Sequence, residues 1–424
     1  MNTAVVSRPS PSSLPLRARP KLGLGETIIG REEEELVLEV IRSKRLFRYT
    51  GSLPPSEQGK MATTLESETC ALMGVRFALG VTSGTGALEV ALSALEVGPG
   101  DEVIVPAWSW ISCFSAIVRM GARPVLAEID DTMNLAPGEI TRLRTPKTKT
   151  VLIMHYQGVA ADMDALMPEA RAAGLRVLED CAQSPGAMYH GKRVGAFGDI
   201  GIYSFQNNKC MTAGEGGLLV TDDPLLYERA VRMHDLGLYR SPHELRAPSR
   251  IPTFCGGQYR MNEMTAAVAL AQLRKLDGVR AHCRRLSKVI LDKISGLPGL
   301  TFRRIPDPSG DSGFEIYFYL PTTEQAEGFT KRLHARNVNC VKITGTYCQY
   351  ERDYCIHRAT YTPAASPFRD DADWPAPGYR KEDFPMTENY VHRFVCLPLG
   401  MLYTVEDAEY IAESVLAVYH DTEG

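Results

Sequence analysis

The sequence predicts an α/β protein: a mostly parallel central sheet with helices on both faces, followed by a smaller α+β domain. Two observations carry this. Between about residues 81 and 220, short apolar runs alternate with helical patterns, as strand–helix units require. After Met261 the pattern gives way to long helices, then to Pro/Gly/Asp-rich loops around one strand-like run. The 424 residues allow two or three domains at roughly 150 residues each. A 44% hydrophobic, 23% charged composition is that of a globular protein.

The first twenty residues are rich in Pro, Ser and Arg. They lack a secretory apolar core and an amphipathic period, so residues 1–25 read as a flexible arm. In residues 87–97, Leu88, Ala91, Leu92 and Leu95 form one helical stripe. Strands are predicted at 102–106, 124–129, 151–155, 176–180, 200–205 and 218–221. A helix over 163–173 ends at Gly174, a suitable stop. Residues 265–276 predict an Ala/Leu-rich helix, and a second, basic helix follows through Ile294. Beyond it come the loops of 305–313, a strand at 315–320, an ordered surface loop over 359–386 and a last helix over 405–419. The domains are then 26–280, large, and 281–424, small.

Several functions are excluded. The net charge, 47 − 51 = −4, shows no basic excess for nucleic acid. No apolar run approaches a membrane span. Ten cysteines without a CxxC pair suit free thiols in a reducing cytoplasm. Ile28 stands where a GxGxxG begun at Gly23 needs its third glycine. Pro54 and Met61 break a phosphate loop around Gly59-Lys60, and His243-Glu244 is not followed by the second His of HExxH. The His and Cys residues do not cluster at metal spacings, so no metal is expected.

Three stretches carry chemistry. In VTSGTGAL, small and hydroxylated residues from Val81 to Leu88 lie between a strand and a helix start. Free N–H groups there bind an anion, and glycine admits a phosphate closely; a plain N-capped turn has the same look. In VLEDCAQSPG, Asp180 closes an apolar strand, the end where such sheets place ligands. It can cap the next turn, or hold a charged ring nitrogen protonated. In SFQNNKCMTAGEGG, Lys209 sits in a polar turn between two strands. Most lysines are solvated, but a sequestered one with a lowered pKa attacks aldehydes. An anion clamp, an Asp for a pyridine nitrogen and a Lys for an aldehyde together describe pyridoxal phosphate.

The segments SGTGALEVAL, DEVIVPAWSW, LEDCAQSPGA, GDIGIYSFQNNKCMTAGEGG and GGQYRMNEMTAA, in this order, resemble the DegT/StrS sugar aminotransferases, which are fold-type-I pyridoxal-phosphate enzymes. The likeness is strongest over residues 28–264. It implies that Lys209 bonds the cofactor aldehyde and then moves a proton between Cα and C4′. It implies that Asp180 pairs with the ring nitrogen, Gln183 bonds the ring hydroxyl, Gly84, Thr85 and Ser204 hold the phosphate, and Trp110 stacks on the ring. Trp108 is assigned to the core.

Two positions depart from the family pattern. Gln206 replaces a frequent His, resembling cyclitol aminotransferases and aminohydroxybenzoate synthases, and can only hydrogen-bond. Gln258 replaces the Asn that in the family reaches the neighbouring subunit's phosphate. The resemblance implies a homodimer with shared sites, an amino donor that is glutamine or glutamate, and a ketone acceptor on a cyclitol or sugar. Tyr347 aligns with a substrate-region Tyr, Lys342 is a basic candidate for the donor carboxylate, and His392 and Arg393, before the strand at 394–397, are read as surface or packing residues. The arm, the 51–59 loop and the 359–386 segment are candidate pocket walls. The alternatives are a dehydratase or aromatising lyase of the aminohydroxybenzoate synthase type, and a catalytically silent cofactor-binding paralogue. Such a paralogue would be expected to have lost Lys209, Asp180 or the clamp.

Overall fold

The structure, a computed structural model, describes residues 15–49, 59–341, 347–362, 367–368 and 378–423. Helices α1 (Arg31–Ser43) and α2 (Met61–Met73) precede the sheet. Then come β1 (Phe77–Val81), α3 (Gly84–Ala94), β2 (Glu102–Pro106), α4 (Ile111–Arg119), β3 (Arg123–Ala127), α5 (Glu139–Leu143), β4 (Thr148–Met154), α6 (Met163–Ala172) and β5 (Arg176–Asp180). A short hairpin, β6 (Met188–Tyr189) and β7 (Lys192–Arg193), leads to β8 (Ile200–Ser204), β9 (Gly217–Thr221), α7 (Pro224–His234), α8 (Ser241–Glu244) and α9 (Glu263–Ile294).

The strands are short and apolar, and β1, β2, β8 and β9 are buried at every position. Strands buried on both faces need cover from both sides. One apolar layer packs Leu88, Leu92, Phe114 and Tyr227 on the sheet; the other packs Leu65, Leu166, Ala266 and Leu270. The order is β1-β9-β8-β5-β4-β2-β3, with β9 antiparallel to both neighbours and the other pairings parallel. The carboxyl ends of β1, β5 and β8, at Val81, Asp180 and Ser204, therefore share one edge, where such sheets place ligands.

The smaller part holds β10 (Thr301–Phe302), β11 (Glu315–Tyr319), α10 (Thr323–Ala335), α11 (Asp353–Ile356), α12 (Pro385–Val391), β12 (Phe394–Pro398) and α13 (Val405–Glu423). Its antiparallel sheet, β10-β11-β12, carries a core of Phe318, Phe329, Val395 and Val415.

Four differences from the sequence reading have physical causes. The two helices expected over 265–294 are one 32-residue helix, α9, capped by Asn262 Oδ1 accepting from Thr265 N at 2.9 Å. Gly278 inside it costs only about 1 kcal/mol, while Leu276, Val279, Cys283 and Leu286 keep the buried stripe continuous. Since Leu286, Ile290 and Ile294 join the smaller core, the division at residue 281 stays a proposal in which α9 is shared. Strand β3 stops at Ala127 because Ile129 turns away to bridge Leu135.

The arm is tied down from Arg17 onward: Arg17 Nη1 donates to Glu406 O (2.9 Å) and Asn339 Nδ2 to Pro20 O (2.8 Å). Met401 N donates to Gly23 O at 3.0 Å, and Leu22 crosses Gly400 so closely that a Cβ has no room there. The 359–386 segment is not wholly surface: Phe384 is buried and stacks on Tyr350 at 4.6 Å. Residues 1–14, 51–58 and Lys342 lie outside the described residues.

Candidate active site

A cavity of about 400 Å³ opens at the shared edge of the large sheet. Nine of the ten residues to which the resemblance gives a cofactor or substrate role line it: Gly84, Thr85, Trp110, Asp180, Gln183, Ser204, Gln206, Lys209 and Tyr347. The tenth, Gln258, is exposed and sits outside it, bridging Asp235.

The anion end is built by the turn from β1 into α3. Ser83 caps α3, its Oγ accepting from Gly86 N at 2.9 Å. That leaves the N–H groups of Gly84 and Thr85 at a positive helix end, which attracts phosphate. Gly84 is required by close approach: a Cβ would lie 2.7 Å from Ser204 Cβ. The Thr85 hydroxyl pairs with Ser112 Oγ at 2.9 Å, so Ser112 joins the hydroxyls of Thr85 and Ser204 around one point.

Asp180 is 4% exposed at the end of β5. Its Oδ1 accepts from Ala182 N (2.9 Å) and its Oδ2 from the Cys113 thiol (3.1 Å). Behind it, His155 Nδ1 accepts from Ala161 N at 3.1 Å, so Nε2 carries the proton and donates to Glu179 at 2.9 Å. Glu179 also accepts from the N–H groups of Gly195, Phe197 and Gly198. Burial alone would raise its pKa; the hydrogen bonds from His155 and from the Gly198 and Gly195 N–H groups outweigh that and hold it low. Through these bonds His155 and Glu179 brace the strand end behind Asp180.

Lys209 follows a tight turn in which its own N donates to Gln206 O at 2.9 Å. Gln206 Oε1 accepts from Asn208 N at 2.9 Å, which leaves its NH₂ for the cavity. Burial pushes the Lys209 ammonium down, opposed in part by the Asp180 carboxylate. The arm closes over this turn, with Gly25 N donating to Lys209 O at 3.1 Å.

Around the mouth, Trp110 is 42% exposed and its ring lies 5.6 Å from that of Tyr347. Trp108 is fully buried and stacks on Tyr347 at 5.2 Å. His392 pairs with Glu388 at 3.1 Å, and Arg393 donates to Asn389 O at 2.6 Å; neither lines the cavity. The sequence reading missed Ser112, Gln157 and Glu315, all cavity walls. None of the three left a signal in the sequence that sets it apart; Glu315 is simply the one charge in the strand EIYFY.

The residues fit pyridoxal phosphate. The Gly84 cradle suits its phosphate, Asp180 its ring nitrogen and Lys209 its aldehyde, while the buried Gln183 Oε1 has no partner of its own. A fold-type-I pyridoxal-phosphate transferase is the class that sheet and site define. Residues 54–416 match the DegT/DnrJ/EryC1/StrS aminotransferase family, and the chain belongs to that family.

Solved structures agree. A 3-amino-5-hydroxybenzoic acid synthase is 28% identical, with TM-score 0.76 over 96% of this chain and 99% of the other. DesV of S. venezuelae is 27% identical, with TM-score 0.74 over 96% and 100%. The aminotransferase TlmJ from Streptoalloteichus hindustanus is 26% identical, with TM-score 0.74 over 93% and 98%. The chain is a pyridoxal-phosphate-dependent aminotransferase of a sugar-aminotransferase family, whose reaction takes an amino donor and a keto-sugar acceptor. Among the described residues, no helix is long and apolar enough to cross a membrane.

Proposed function

We propose that this enzyme moves the amino group of glutamine or glutamate onto a ketone of a cyclitol, sugar or related secondary-metabolite intermediate. The observation that carries this is Lys209: a half-buried amine whose pKa desolvation lowers, in one cavity with Asp180 and the α3 N-terminus. Pyridoxal phosphate, when bound, supplies the electron sink that makes the donor Cα–H acidic.

The chain's own residues do the rest. The N–H groups of Gly84 and Thr85 and the Ser204 hydroxyl hold the phosphate. Asp180 keeps the ring nitrogen protonated, since a carboxylate beside it favours the charged form. Gln183 bonds the ring hydroxyl, and Trp110 covers one face. Lys209 would hold the cofactor through its aldehyde, and its amine is the group placed to carry a proton to and from the donor Cα. Gln206 and Tyr347 face the substrate. Gln258, exposed on its own chain, reaches the phosphate of the neighbouring subunit in a homodimer. The free state of all ten cysteines supports a cytoplasmic enzyme.

The test is spectroscopic. Adding L-glutamine, then L-glutamate, without acceptor should bleach the visible band of the bound cofactor. Lys209→Ala should remove both the band and turnover; full activity in that variant overturns the assignment. A second reading has one specific support, the 28% identical aminohydroxybenzoic acid synthase: a dehydrating, aromatising lyase. Such a lyase consumes no stoichiometric amino donor, so product analysis separates the two.

A further inference from the structure

One wall of the cavity holds two polar side chains whose hydrogen-bonding capacity is unspent. The first is Gln157, whose backbone is left-handed at φ 45°, a costly conformation for a side-chain-bearing residue. It is held from both sides: Tyr156 N donates to Asn134 Oδ1 (2.8 Å), and Gly158 N to Ser184 Oγ (2.9 Å). The residue lines the cavity, and its side-chain amide has no partner among the described residues.

The second is Glu315, the first residue of β11. Its Oε2 accepts from the Tyr317 hydroxyl (2.6 Å) and the Cys396 thiol (3.2 Å). Its Oε1 has no partner among the described residues, although the residue lines the cavity. Burial pushes the carboxyl up, against those two hydrogen bonds. The two residues sit on touching segments: Ser312 N donates to Gly158 O at 3.0 Å, and Gly158 packs against Phe314.

We propose that Gln157 and Glu315 are the specificity-determining pair for the acceptor, reading the hydroxyls of an uncharged polyhydroxylated ring. This rests on the aminotransferase reading above. A hydroxyl both donates and accepts, so it suits the Gln157 amide and the free Glu315 oxygen in either protonation state. An anionic group does not. Among the described residues lining the cavity, Lys209 is the only one with a cationic side chain, and Lys209 stands beside Asp180. Among the described residues of its own chain, a phosphate or carboxylate against Glu315 would lack a compensating charge. The left-handed backbone at Gln157 has a use here, since it holds the residue at the cavity wall.

A hydroxylated ring comes free, as a cyclitol ketone, or as the hexose of a nucleotide-linked sugar. The holoenzyme, first charged with its amino donor, is mixed with 2-keto-myo-inositol and separately with a thymidine-diphosphate-linked 4-keto-6-deoxyhexose. Recovery of the visible band gives the acceptor KM. Glu315→Gln and Gln157→Ala should each raise that KM about tenfold, the size of one lost hydrogen bond to a charged or buried partner. The donor KM should change at least fivefold less. The probe whose KM responds identifies the source of the ring.

Equal changes in donor and acceptor KM, or none in either, overturn the pair. If the donor bleaches the wild-type band but neither ketone restores it, the polyol proposal fails and aminotransfer stands. If the donor does nothing, the aminotransferase reading fails and takes this one with it. Should Glu315→Gln not bind cofactor, Gln157→Ala decides alone.

Discussion

The thiol of Cys113 donates to Asp180 Oδ2 at 3.1 Å, so a cysteine on α4 fixes the carboxylate that closes β5. The thiol is a dependable donor. Burial, then the neighbouring Asp180 charge, pushes its pKa well above that of a free thiol. With Ala182 N on Oδ1, both carboxylate oxygens are anchored and the carboxylate plane is set before the cofactor arrives.

Cys113→Ala should therefore weaken pyridoxal-phosphate binding about fivefold, equivalent to about 1 kcal/mol for one hydrogen bond. Cys113→Ser keeps a donor and should stay within about twofold of wild type. Titration of the apo-protein, followed by its visible absorbance, reads both. Equal losses in the two variants would point to packing instead of the hydrogen bond.

Gly84→Ala is a sharper perturbation at the other end of the cavity. The added methyl would lie 2.7 Å from Ser204 Cβ and 2.9 Å from Ser204 Oγ, a hydroxyl on a buried strand end that cannot swing clear. Either α3 or Ser204 must move away from the phosphate position. We expect cofactor affinity to fall at least about tenfold, with the melting temperature of the apo-protein changed little. Wild-type affinity would mean that the phosphate sits elsewhere.

How much of this was legible depends on where each residue lies in the chain. Asp180, Lys209 and the α3 start could be read because each belongs to one contiguous stretch that ends a strand or opens a helix. Glu315 could not. It enters the cavity only because the small sheet folds against the large one, and from sequence it is a polar residue in the strand EIYFY. Gln157 was hidden for a related reason: its significance is a left-handed backbone between β4 and Gly158, and a side chain does not announce its φ. The break expected near Asp277 fails because a buried stripe outweighs one glycine.

A buried network at residues 48–49 and 234–246 sets the acid limit of stability. Tyr227 OH lies 2.6 Å from His243 Nδ1, Tyr49 OH bridges His243 Nε2 (2.5 Å) and His234 Nε2 (3.1 Å), and His234 Nδ1 faces Val231 O. Every nitrogen is satisfied with both rings neutral. Burial, then the Arg48 charge, lowers His234 to about 4 and holds His243 well below its ordinary value. Arg240 and Arg246 add repulsion at His243, while Asp235 and Glu66 only partly offset it at His234. Between pH 6.5 and 4 the unfolded chain thus binds more protons than the folded one, so stability falls as pH falls. His234 alone accounts for up to about 3 kcal/mol across that window. Urea midpoints should drop steadily from pH 6.5 to pH 5 and be flat from 7 to 8. A flat profile down to pH 5 would mean that these rings are already charged in the folded state.

Gln258 gives the last prediction, because the function proposed above gives its exposed amide an acceptor on another chain. Take Lys209→Ala and Gln258→Ala as separate inactive or impaired proteins, then mix them under conditions that exchange subunits. In a two-fold dimer with shared sites, each mixed dimer carries one site with both lesions and one with neither. Random exchange makes about half the dimers mixed, so activity should return to roughly a quarter of wild type. Sites built within one chain would give no such recovery, since every Lys209-bearing site would then keep its own Gln258→Ala lesion. Activity that stays at the average of the two parents therefore refutes the shared site. Activity near a quarter assigns the Gln258 amide to the neighbouring subunit.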